Sequence, residues 1–171
     1  TIQFLAVVGE QRGVANYQAF FTVYAVIVIA IRLATGRVSD RFGRAAVLVP
    51  ALAFQALAML LLARADSFPI LIVAAVAFGM GWGAAFPTLT ALTADRVEPH
   101  RRGSAMGIFA AASALGGSLG SASMGIIAQV AGFDGAFLFS AVVALLGLAI
   151  CVVGLKATGE LALRPAKENG G

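Results

Sequence analysis

The sequence has little charge, with 12 lysines and arginines and 8 acidic residues among 171. A soluble domain of this length needs a largely polar surface, and about a quarter of its residues are ordinarily charged. At 12% charged and 60% hydrophobic, with a mean hydropathy of +0.95, this chain excludes most soluble folds, and its natural solvent is lipid. Cysteine and histidine are nearly absent as well. Cys151 stands alone, which excludes an intramolecular disulfide, and the single histidine, His100, leaves no His or Cys metal cluster. Metal hydrolase and thiol chemistry are therefore disfavoured. His100 reads as a loop residue among arginines and Cys151 as a small apolar filler. A net charge of +4, scattered in small groups between apolar runs, makes no basic groove, so nucleic acid is not an expected partner. The glycine runs over 79–83 and 116–120 lack the spacing of nucleotide-binding loops, and no cofactor is expected.

What the sequence does have is long uncharged intervals, over 1–9, 13–31, 45–63, 67–94, 103–133 and 135–155. A spanning helix needs about 20 apolar residues, because a ~30 Å hydrocarbon layer is crossed at ~1.5 Å per residue. All but the first interval are long enough. The first, TIQFLAVVG, is apolar from its first residue and has neither an initiating Met nor the charged start of a signal peptide, so it reads as the second half of a span. The expected fold class is an all-α integral membrane protein. It has one truncated span over 1–9 and complete spans over 14–35, 45–63, 68–93, 104–131 and 135–155, in one unit over 1–156 with a cytoplasmic tail over 157–171.

Orientation follows from the basic residues. If connections alternate sides, one side receives Arg32, Arg37, Arg41, Arg44, Arg96, Arg101, Arg102, Lys156, Arg164 and Lys167, and the other only Arg12 and Arg64. The positive-inside rule makes the first side cytoplasmic and places the C-terminus inside, in a plasma or inner membrane.

The connection after the 14–35 span reads GRVSDRFGR, from Gly36 to Arg44. It resembles the GxxxDRxGR signature of major facilitator superfamily transporters, found on the cytoplasmic side between the second and third helices of each six-helix half. The segment VEPHRRGSAMG, over 97–107, resembles the family's loop between the fourth and fifth helices of a half. GFDGAF, over 132–137, matches its short external turn before the last helix. The resemblance implies a helical bundle that is the carboxy-terminal half of a transporter, with the missing amino-terminal half as its partner. It also implies a conformational latch. Asp40 and Arg41 would take part in a state-dependent contact with a helix end of the opposite half, and Arg44 in the neighbouring charge network. Glu98, Arg101 and Arg102 belong to the second cytoplasmic loop. Ala45 and Ala46 stand where the family often continues with basic residues.

The residues themselves fit such a latch. Gly36 permits close helix approach, while Arg32 and Asp40 lie four residues to either side of it, on one face if the helix continues. The ordinary alternative is a positive-inside anchor with a snorkelling arginine and a turn built on Gly43.

The spans differ in character. Those over 45–63 and 135–155 are almost wholly aliphatic and read as lipid-facing or peripheral, with Gln55 the main polar exception. The other two long ones carry glycines and hydroxyls suited to close packing or a cavity. In the first of these, Pro87 follows several glycines and should bend or locally break the helix, a pointer to a substrate site. Trp82, Phe86, Thr90 and Thr93 share a helical face with Gly79 and suit an apolar or amphipathic solute, with ordinary packing as the alternative. Gln3, Phe4 and Tyr24 are further cavity candidates, because the family's first and fourth helices of a half line the cavity. The pairs Gly79/Gly83 and Gly116/Gly120 read as helix packing positions.

No acid lies deep in a span, so a proton carrier, if transport is proton-driven, falls to the absent half. Asp66, Asp134, Glu160 and Glu168 read as solvated, and Glu10 is a weak candidate at an external helix end. The functional expectation is secondary active transport, by alternating access, of a small amphipathic compound outward. Uptake of a small metabolite or sugar is the alternative within the class, and a non-transporting scaffold or assembly subunit the alternative outside it. An enzyme is not expected, since a membrane enzyme needs a His, Asp or Glu cluster that this chain lacks.

Overall fold

The computed structural model describes residues 16–158. Gln3, Phe4, Glu10, the span over 1–9 and the tail beyond Thr158 lie outside the described residues, as do the side chains of Arg37 and Asp40. Among the described residues the fold is all-α. Four helices are long and apolar enough to cross a membrane: α1 (Ala19–Phe42), α2 (Arg44–Ala63), α3 (Phe68–Asp95) and α4 (Arg102–Ala157), the last preceded by a 3₁₀ turn at Pro99–Arg101.

The helix α4 is two spans joined. A straight helix of 56 residues would extend about 84 Å, far beyond the ~30 Å hydrocarbon layer. It is broken at Gly132, where φ is 72° and ψ 177°, a backbone conformation open essentially to glycine. Its far end returns to the side from which it starts, since Arg96, which follows α3 and lies six residues before α4 begins, donates from Nη2 to Thr158 Oγ1 at 3.2 Å. The arm over 102–131 therefore runs out and the arm over 133–157 runs back.

The end of α1 bears on a point that the sequence leaves open, whether the helix continues past the 14–35 span. The helix does not stop at residue 35 but continues to Phe42, so most of GRVSDRFGR is the last two turns of a helix. Polar residues at a helix end need not break it, and Arg41 in the last turn is favourable to the macrodipole. The turn is confined to Gly43, at φ 89°, whose N–H donates to Ser39 O at 3.0 Å.

One departure from the sequence expectation concerns α2, which its aliphatic composition suggested was peripheral. It is central, packed on α3 and on α4, with Leu48, Ala51, Ala58, Met59 and Leu62 buried. Lipid and a helix neighbour are equally apolar, so composition does not separate the two faces, whereas alanines on α2 let α3 approach closely. The core joins Phe20 of α1, Met59 and Leu62 of α2, Phe78 of α3 and Phe137 of α4. The arm over 133–157 turns Leu138, Val142, Leu146, Ile150 and Val153 outward, the broad apolar face of a lipid-contacting helix.

A second departure is at Pro87. Instead of breaking, α3 runs uninterrupted from Phe68 to Asp95. Proline removes one amide donor, that to Gly83 O, and the helix continues past the gap, with the hydroxyls beyond it making the ordinary bonds of helical threonines to carbonyls four residues back. Thr88 Oγ1 donates to Ala84 O at 2.7 Å and Thr90 Oγ1 to Phe86 O at 2.9 Å.

Candidate functional site

Two sets of candidate residues take separate places in the bundle. The first is at the arginine-bearing end, where α1 finishes, α2 begins and α3 finishes. Arg44 Nη1 donates to Ser39 Oγ at 2.8 Å, and its Nε donates to Asp95 Oδ2 at 3.1 Å. The charges suit their neighbours' helices better than their own. Arg44 opens α2 and Asp95 closes α3, each at the dipole end of like sign, but the pairing sets each against the opposite end of the adjacent helix. Both side chains are partly solvated, so the pair itself adds at most about 1 kcal/mol. Its effect is geometric, in tying three helix ends together.

The other latch candidates around this clamp are open. Arg32, Gly36 and Arg41 are exposed, and a Cβ on Gly36 would meet nothing within 4 Å among the described residues. The Arg41 guanidinium lies over the Phe42 ring, 5.4 Å from its centroid. In the second loop Glu98 pairs with His100 at 3.5 Å, both exposed, and Arg101 and Arg102 face solvent. The Asp40 side chain is outside the described residues.

The second set lies midway along α3. Trp82 and Phe86 stack with centroids 6.0 Å apart, and Phe86 meets Phe109 of the 102–131 arm at 5.8 Å. Trp82 is 44% and Phe86 41% exposed, so the rings cover each other only in part and present a shared aromatic surface. Beyond Phe109 the arm is exposed over 110–120, a stretch of Ala, Ser, Gly and Leu. Thr90 and Thr93 continue the α3 side, but their hydroxyl hydrogens are committed to Phe86 O and Leu89 O, both at 2.9 Å. They retain lone pairs, and can accept a hydrogen bond from a solute without donating one.

Not every sequence candidate reaches this surface. Tyr24 stacks on Phe20 at 6.3 Å and meets Phe78 at a tilt at 5.4 Å, in the core cluster on the α1 side. Gly79 faces α1 too. A Cβ there would lie 2.8 Å from Ile27 Cγ2, and one on Gly83 3.3 Å from Val28 Cα. Gly81, which the sequence reading did not single out, faces the other way. Its Cβ would lie 2.8 Å from both the Gln55 backbone N and Oε1, and 2.9 Å from Ala51 O. The three glycines thus seat α3 between α1 and α2. Gly116 and Gly120 have nothing within 4 Å of a Cβ among the described residues.

Sequence reasoning also missed Phe109, Ser39 and Asp95. Phe109 is the aromatic residue of an otherwise small-residue segment and gives no periodic signal. Asp95 is the first acid after the long uncharged run of α3, a position that marks a helix end but not its partner. Among the described residues no group of His, Cys, Asp or Glu could hold a metal ion.

Residues 3–170 match the family described as the Major Facilitator Superfamily. Among curated relatives, an uncharacterized MFS-type transporter of Salmonella typhimurium is 28% identical over 147 residues, covering 86% of this chain and 38% of the relative. The 3-(3-hydroxy-phenyl)propionate transporter of Escherichia coli is 37% identical over 87 residues, 51% of this chain and 22% of its own. A probable sulfoacetate transporter of Cupriavidus necator is 30% identical over 138 residues, 80% of this chain and 32% of its own. The matched segments span between 22% and 38% of the length of these three relatives.

Proposed function

The chain belongs to the major facilitator superfamily, and from that membership we propose that it forms part of a secondary transporter moving a small organic solute by alternating access. The missing amino-terminal half is its partner, since a cavity between two halves needs both. The observation that carries the reading is the aromatic surface of Trp82, Phe86 and Phe109, exposed halfway along the spans and set on two helices. Rings there offer stacking area to an apolar or aromatic body, worth about 0.5–1.5 kcal/mol per pair beyond simple burial. The threonines below accept hydrogen bonds from its polar part. Among the described residues no charged side chain belongs to the surface, which favours binding by shape and stacking.

Outward movement of an amphipathic compound is the first reading of direction, resting on that uncharged aromatic surface. Uptake of a small metabolite is the second; relatives named for a hydroxyphenyl propionate and for sulfoacetate, both small organic acids, support that solute class and carry no direction. The protein is placed in the cell membrane with its C-terminus in the cytoplasm, by the distribution of lysine and arginine. Proton coupling, where it operates, is assigned to the absent half. The chain is read as a carrier and not an enzyme.

The test is flux through the whole transporter in proteoliposomes, against a panel of aromatic and aliphatic acids and neutral amphiphiles, with and without a proton gradient. Saturable flux of one class supports the reading, and its direction under an imposed gradient separates export from uptake. A protein that binds its membrane partners yet moves no solute of any class is a scaffold, and the proposal fails.

A further inference from the structure

Beside the latch segment, α1 and α2 diverge over α3 and leave a groove of about 260 Å³. Its floor includes buried Thr35, Val47 and Ala84, and its mouth is formed by exposed Ala34, Val38 and Pro50. The wall is almost entirely apolar. Thr35, its one polar side chain, turns its hydroxyl back to Ile31 O at 2.6 Å. Ligand pockets for drug-sized solutes run about 300–1,000 Å³ and are largely enclosed, whereas this groove is smaller and opens sideways through residues that face outward. An apolar groove on the flank of a membrane helix pair suits a hydrocarbon chain.

What lies at its end selects the chain's owner. Val38 lines the groove, and Arg41 follows three residues later on the same side of α1, exposed and held over the Phe42 ring. A fixed cation at the headgroup level attracts an anionic lipid, by about 1 kcal/mol per basic residue near the surface. On α2, Pro50 offers no N–H to the carbonyl of Ala46, four residues before it, and both residues line the groove. That carbonyl lacks its usual amide donor and can accept from a headgroup hydroxyl. Four alanines, Ala34, Ala46, Ala51 and Ala84, line the groove and leave it room.

We propose that this groove is a phospholipid site, taking one acyl chain between α1 and α2 with an anionic headgroup on Arg41. The inference needs only the chain's membrane placement and does not depend on which solute is carried. A lipid seated there touches the segment carrying Gly36 and Gly43, and so braces the latch helix.

The test uses the whole transporter, delipidated in detergent and titrated with dioleoyl phosphatidylglycerol, dioleoyl phosphatidylcholine or glycerol phosphate, with bound molecules counted by native mass spectrometry. The wild type should retain one phosphatidylglycerol about fivefold more tightly than phosphatidylcholine, the factor expected of one arginine near the surface. Glycerol phosphate should not compete. Arg41→Gln should lower phosphatidylglycerol to the phosphatidylcholine level, and Ala34→Phe, which fills the mouth, should weaken both lipids at least fivefold. Arg41 is exposed, so its variant keeps the test open if Ala34→Phe does not fold. Equal retention of the two lipids by the wild type, competition by glycerol phosphate alone, or undiminished binding in a folded Ala34→Phe variant overturns the proposal. So does a wild type that takes up no lipid, which means that another part of the protein fills the groove.

Discussion

Replacing Gly81 by alanine should loosen the bundle at its centre. The new Cβ would lie 2.8 Å from the Gln55 backbone N and 2.9 Å from Ala51 O, both main-chain atoms of α2 that no rotamer change can move. To reach an ordinary contact of about 3.5 Å the two helices must separate by roughly half an ångström or more, and such overpacking costs about 1–3 kcal/mol. Alanine recovers part of this, about 0.5–1 kcal/mol, through its better helix propensity. The net loss lies between about 0 and 2.5 kcal/mol, centred a little above 1 kcal/mol. Gly147→Ala is the control, because nothing lies within 4 Å of its Cβ, so only the propensity gain of about 0.5–1 kcal/mol remains. Reversible unfolding of the whole transporter in mixed micelles should rank Gly147→Ala above wild type and Gly81→Ala below it. The neighbouring Gln55 sharpens the test. Its Oε1 is buried without a hydrogen-bond partner among the described residues, so Gln55→Met should stabilise by about 1 kcal/mol. It should not rescue Gly81→Ala, whose closest contacts include the backbone. Equal stability of Gly81→Ala and Gly147→Ala would refute the view of α3 as wedged between α1 and α2.

Three other predictions concern the arginine-bearing end. Asp40→Asn should slow transport while leaving expression near normal, as the resemblance to the family signature implies, and an unchanged rate measured in vesicles would count against the latch. In a double-mutant cycle, Arg44→Gln and Asp95→Asn should show a coupling of about 0.2–1 kcal/mol, the size of a partly solvated pair, falling further in high salt. For topology, Ser39→Cys is a poor reporter because Ser39 is 4% exposed and holds Arg44. In a Cys151→Ala background, His100→Cys should react with a membrane-impermeant maleimide only from the cytoplasm and Arg64→Cys only from outside. The reverse pattern would overturn the orientation.

The membrane fold was legible because charge is scarce and what there is marks helix ends. The turn at Gly132 and the hairpin of the last two spans follow from the GFDGAF signal, and Gly43 from its place after the charged segment. Other features were not legible, each for a physical reason. The helix runs on to Phe42 because polar residues at the membrane surface satisfy a helix end as well as a loop. The centrality of α2 was hidden because lipid and protein neighbours select the same side chains. Pro87 was expected to bend or locally break α3, and the helix runs through it unbroken, because one missing amide bond leaves the rest of the ladder in place. Of the cavity candidates, spacing alone linked Trp82 to Phe86. It had no means of adding Phe109, which reaches them from another helix, or of setting Tyr24 apart in the core.

The aromatic surface is the proposed place where solute is held. The direct test is the KM of the whole transporter for the solute identified by reconstitution, in Trp82→Ala and Phe109→Ala, with lipid-facing Ile150→Ala as the control. Loss of one stacking partner, at about 0.5–1.5 kcal/mol, should raise KM roughly 2- to 12-fold in each of the first two, with Ile150→Ala unchanged. If all three variants keep the wild-type KM, the solute is held elsewhere and the surface serves helix packing or lipid contact alone.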